Sequence, residues 1–182
     1  MAVARDDRAA GLFDMFLAGL QAGMLAALWM LAWLGVSAAW QRSSFWTAEN
    51  LLASTFFGGA AIRSGFGSTT FSGLALFLLV YSALGGLFAI VARGRLSRLR
   101  LVLVSLVLGI AWYYLFYDVI CRTVSPLVTL LYAERPTLLG HVIYGGLLAR
   151  FPRYVPQAAP PELEVPVVET VTDVEPANRT QS

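Results

Sequence analysis

Asp118 and Arg122 stand four residues apart near the end of an apolar run, with Tyr114 one turn before Asp118 and Tyr117 beside it. On a helix, residues at i and i+4 share a face, so this carboxylate and guanidinium can pair. A neighbouring phenol can then hold the carboxylate as a proton or cation site. A charge pair anchored at a membrane interface is the simpler account, since both residues fall within about a turn of the expected boundary. His141 is the only histidine. Imidazole titrates near neutral pH, so His141 close to Asp118 can relay protons, whereas packed alone it bonds a neighbouring helix. Gln21 reads as an amide that bonds a second helix.

Other chemistry finds little material. One histidine and the single Cys121 leave no multi-ligand metal set and no internal disulfide, and the absence of lysine rules out a Walker-type phosphate loop. Gly65-Phe66-Gly67 and Gly145-Gly146 lack the strand-turn-helix setting of a nucleotide fingerprint. A membrane hydrolase needs a nucleophile with a base nearby, and only Asp118 with His141 approaches that. The expectation is therefore no enzyme, no cofactor and no metal. Asn178-Arg179-Thr180 matches a glycosylation triplet, but a match this short in an intracellular tail is read as chance.

The elements that must position these residues are membrane helices. Met15 to Trp40 runs 26 residues and Ser64 to Ala92 runs 29 without a charged side chain. At about 1.5 Å per residue each can cross a hydrocarbon layer of roughly 30 Å. A mean hydropathy of +0.68 over 182 residues agrees with one small all-α membrane domain. Four spans are expected, at about 15–40, 69–92, 101–121 and 136–151. The last is short, opened by Pro136 and closed by Arg150 and Pro152. Between the first two spans, residues 45–62 hold only 12 uninterrupted apolar positions, Leu51 to Ile62, which fits an interfacial or re-entrant helix. Phe45, Trp46, Leu52 and Phe56 are expected toward lipid there. The first run ends in Ser37-Ala38-Ala39, a pattern like a signal-peptidase site, yet it is too long for a signal core and reads as a retained helix.

Small residues mark the packing faces: Gly19, Gly23 and Ala27 in the first span, Ser82 and Gly86 in the second, Gly145 and Gly146 in the fourth. Such stripes let helix backbones approach, within one chain or between chains. The Gly85-Gly86 pair also predicts a bend or close contact near residue 86. All 13 basic residues are arginines, a usage suggesting a GC-rich bacterial genome. They flank the spans where lipid headgroups lie, which suits topology rather than nucleic acid. Arg93, Arg95, Arg98 and Arg100 make the strongest topological signal. With Arg5, Arg8, Arg150 and Arg153 they give eight charges on one side against four on the other, at Arg42, Arg63, Arg122 and Arg135. Both termini are thus expected in the cytoplasm of an inner (plasma) membrane protein. Residues 1–14 form a cytoplasmic lead, and 154–182, rich in Pro, Val, Glu and Thr, a disordered acidic tail.

The segment Gly140-His141-Val142-Ile143-Tyr144-Gly145, in a last short helix after an aromatic-rich third helix, resembles the pattern of the YagU-like small bacterial inner-membrane proteins. The resemblance implies a four-helix inner-membrane fold and no established activity. The expected partners are the lipid bilayer and a membrane protein or second copy. The expected role is a structural or accessory subunit, the competing one a small proton or ion transporter built on Asp118 and His141.

Overall fold

A computed structural model describes residues 3–92 and 96–156, with side chains from residue 11 onward. Arg93, Arg95, the side chains of Arg5 and Arg8, and the tail from residue 157 lie outside the described residues. Helix α1 (Val3–Trp40) begins before the expected lead ends and breaks at the polar Gln41 to Ser44 turn, where Arg42 has φ 58°. α2 (Thr47–Phe57) and α3 (Gly59–Arg63) replace the single short helix expected over 45–62. Gly58, at φ 59°, separates them, a conformation that a side chain would strain. α4 (Ser68–Ala92) and α5 (Arg98–Tyr114) follow. α5 continues through a π-helical segment, Leu115–Cys121, into α6 (Arg122–Val124), and Pro126 starts α7 (Pro126–Leu131). α8 (Glu134–Leu148) and a 3₁₀ turn (Phe151–Tyr154) complete the described chain.

Three stretches are long and apolar enough to cross a membrane: Gly11–Trp40, Ser68–Ala92 and Arg98–Val124. α8, at 15 residues, is shorter than these. α1 packs along α4 on one side and α8 on the other, and α8 packs on α5, giving the order α4, α1, α8, α5. Neighbouring helices run antiparallel. Trp33 Nε1 donates to Pro136 O at 2.8 Å, fixing the late turns of α1 beside the start of α8. Phe88 and Phe151, 5.8 Å apart, join the end of α4 to the 3₁₀ turn. One end therefore gathers Trp40, Tyr117 and Tyr132, and the opposite end Arg98, Arg150 and Arg153. These are the aromatic end and the arginine end below.

Packing follows side-chain size. Ala18, Ala22, Ala26 and Met30 form the buried face of α1. A Cβ on Gly19 would lie 2.5 Å from Gly85 O, and one on Gly23 would lie 2.8 Å from Tyr81 O and 3.2 Å from the Cα of Ser82. Ala27 is fully buried, and Gly86 lies against the Phe16 ring. α4 stays continuous through Gly85-Gly86, so that pair serves close contact rather than a break. The same device joins α8 to α5: Gly145 lies on Ser105 O and Gly109 on His141 O. A Cβ on Gly146 would meet only the end of Leu106, at an ordinary 3.9 Å.

The middle of α2 is buried on every side, because Glu49 to Ser54 are six consecutive buried residues and so go round the whole helix. Leu52, expected toward lipid, is 5% exposed and belongs to the core, while Phe56 does face out. The cause is a close approach to α4, where Gly73 leaves room for the Glu49 carbonyl. Hydrogen bonds fix the turn that follows: Asn50 Nδ2 donates to Ser64 O at 2.8 Å, and Thr70 Oγ1 donates to Asn50 Oδ1 at 2.7 Å.

Candidate functional site

The residues singled out for chemistry fall into two separate places. His141 is fully buried about halfway along the helices, beside Tyr81 of α4, Tyr113 of α5 and Tyr117 of the π segment. Its Nδ1 lies 2.7 Å from Thr137 O and its Nε2 2.7 Å from the Tyr81 hydroxyl. A carbonyl only accepts, so Nδ1 carries the proton and Nε2 accepts from Tyr81. Tyr144 donates its own hydroxyl to Tyr81 O at 2.7 Å. The imidazole is thereby held as a neutral tautomer with both nitrogens used.

Asp118 and Arg122 stand outside this cluster. Their closest approach is 3.9 Å, with side chains 43% and 71% exposed respectively. Tyr114 is 52% exposed and touches Tyr113 through its ring edge. The inward positions of the π segment are taken by Phe116, Tyr117 and Cys121, which turns Asp118 away from the core. Of the two alternatives for His141 the structure shows the one packed apart from Asp118, since the imidazole spends both nitrogens on Tyr81 and Thr137. Tyr117 is the one member of the expected cluster that reaches His141. Gln21, expected to bond a second helix, is exposed on α1 and meets no helix of this chain through a hydrogen bond among the described residues.

A cavity of about 150 Å³ opens at the aromatic end. Its apolar wall includes Leu34, Phe77 and Tyr117, and Ser37, Gln41 and Thr47 supply polar groups. Tyr117 and Thr137 are shared between this cavity and the His141 surroundings, but His141 itself is shielded. Tyr132, stacked on Tyr117 at 4.5 Å, separates it from a groove containing Asp118 and Arg122. Among the described residues no group of three or more His, Cys, Asp or Glu side chains is placed to hold a metal ion.

Sequence reasoning passed over Tyr81, Tyr144 and Glu49. A tyrosine in mid-span needs a partner for its hydroxyl, and that signal could have found Tyr81. In the sequence Glu49 shows only as a polar break, with Asn50, before the apolar run Leu51 to Ile62. It is 2% exposed and its Oε2 has no partner among the described residues. Burial raises its carboxyl above the ordinary 4.5, against the opposing effect of a hydrogen bond from its own backbone N–H.

No family model, curated protein or solved structure matches the chain.

Proposed function

We propose that this chain is a four-span inner-membrane protein of bacterial type, with both termini in the cytoplasm, that works as a structural or accessory subunit. The arginine end then faces inward and the aromatic end outward, a reading supported by the eight-to-four arginine balance. α8 supplies the fourth span, its 15 residues extended toward the inner surface by the 3₁₀ turn. The resemblance of residues 140–145 to YagU-like proteins belongs to the same reading.

The observation that carries the subunit role is Gln21. The small-residue faces expected to recruit a partner are occupied by helices of this chain: Gly19 and Gly23 by α4, Gly145 by α5. Gln21 instead faces outward in the apolar stretch of α1, on a stripe with the exposed Leu17, Met24 and Leu28. It lies six residues, about 9 Å, inside Met15, the first apolar position of the span. An amide facing hydrocarbon is costly, and a hydrogen bond to a helix of a second copy or another membrane protein relieves it.

The test is mild-detergent extraction followed by mass determination of the native particle. Wild type should migrate with a second copy or a partner, and Gln21→Leu should release the monomer with its helix content unchanged. A wild type that is monomeric in native membranes would sink the reading. The competing role, a proton or ion transporter, draws on the cavity beside Tyr117 and Thr137. Liposome flux of wild type, lost in Asp118→Asn or His141→Ala, would establish it instead; the subunit reading expects no flux above empty liposomes from any of the three.

A further inference from the structure

We infer that the arginine end carries a binding site for one anionic phospholipid, its phosphate on Arg98, Arg150 and Arg153 and an acyl chain in the groove between α4 and α5. α4 and α5 are consecutive, yet α5 takes its close contacts from α8 and not from α4. The gap between them is a groove of about 470 Å³, walled on α4 by Leu84, Leu87 and Val91 and on α5 by Val104 and Leu108. Its lining is almost wholly apolar, so it suits hydrocarbon and offers nothing to a polar solute.

The groove ends where positive charge begins. Leu96 belongs both to its wall and to a second hollow of about 410 Å³ that contains Arg98, Arg150 and Arg153. All three guanidinium-bearing residues are exposed, and none has a carboxylate within 4.0 Å among the described residues. Arginine offers a fork of donors matched to phosphate oxygens. The dimensions fit as well. From Leu108 to Arg98 is ten residues of α5, about 15 Å, which is half of a hydrocarbon layer of roughly 30 Å. An acyl chain beginning at the arginines thus reaches the bilayer midplane where the groove closes. A zwitterionic lipid has the same chain but adds an ammonium that the three arginines repel.

Native mass spectrometry of the full chain, released from bilayer nanodiscs of equal phosphatidylglycerol and phosphatidylcholine, reads the site directly. Wild type should retain phosphatidylglycerol in preference. Each arginine near the surface contributes roughly a fivefold factor, so Arg98→Gln with Arg150→Gln and Arg153→Gln should lower the preference on the order of a hundredfold, to parity. Val104→Trp fills the groove from its α5 wall without touching charge and should reduce retention of phosphatidylglycerol several-fold. Raising salt on wild type should erode the preference, a measurement that stands even where a variant folds poorly. Equal retention of both lipids by wild type, or a preference that survives loss of the arginines, overturns the site. Displacement of the lipid by millimolar inorganic phosphate would overturn the acyl-chain half and leave a phosphate site. No effect of Val104→Trp would do the same.

Discussion

In the aromatic half, rings span the distance between α4 and the α5 extension: Tyr81 lies 6.4 Å from Phe116, and Tyr81 and Tyr113 both pack on His141. In the arginine half the same two helices present Leu84 and Leu108 across an open groove. The backbone explains why the gap exists. Glycines draw α4 against α1 and α8 against α5, so α4 and α5 each have a close neighbour and neither is drawn to the other. Whether the space between them closes then depends on side-chain reach. Tyrosine and phenylalanine cross it, the tyrosine hydroxyl finding a buried acceptor, whereas leucine and valine do not.

The comparison breaks most sharply at His141. Replacing it with Leu leaves the Tyr81 hydroxyl without its acceptor in a dry interior, at about 1–3 kcal/mol, while Thr137 O keeps its helical bond from the backbone N–H of residue 141. A loss of about 3 kcal/mol is expected in unfolding from mixed micelles, while the groove in the arginine half should be unaffected. His141→Leu as stable as wild type would show that aromatic packing alone closes that half. Next in size is Gly85→Val, which attacks the other half. A Cβ there would lie 2.5 Å from Gly19 O and 2.7 Å from the Cα of Gly23, so α1 and α4 must separate. The expected cost is about 2 kcal/mol, within the range for overpacking. Cysteine cross-linking between α1 and α4 should slow in proportion, and unchanged cross-linking would mean that the close contact is not what holds them.

Much of this contrast can be traced in the sequence and part cannot. The three long helices follow from runs of apolar residues bounded by arginines, and the packing faces from Gly19, Gly23 and Gly145, because a backbone contact needs small residues at fixed spacing. Side-chain direction in the third span was less legible. An i, i+4 spacing places Asp118 beside Arg122 but does not say which way that face turns, and the π segment points Phe116 and Tyr117 inward at that level. His141 could be recognised as a buried group needing a partner. That the partner is Tyr81, 60 residues earlier, is a property of the helix order α4, α1, α8, α5, which no local pattern encodes. The sequence marks Gln21 as an amide needing a second helix but not whose helix that is, because periodicity cannot tell which neighbour covers a face.

The smallest expected effect concerns Glu49, which belongs to the aromatic end but not to its ring network. The first turn of α2 favours a negative charge at this position, while burial against α4 disfavours it. Burial dominates, so the folded protein keeps the proton through a pH range in which the unfolded chain has lost it. The stability linked to this group is therefore full below the ordinary 4.5 and is lost as pH rises through the raised value. Glu49→Gln is neutral at every pH and should melt with a flatter profile than wild type between about pH 4 and pH 8 in detergent, the two curves separating only toward higher pH. Parallel profiles would mean that Glu49 ionises in the fold as freely as outside it. A wild type that instead loses stability against the glutamine variant as pH falls below the ordinary 4.5 would mean that a cation reaches Oε2 and that the carboxylate, not the acid, is the form the fold holds.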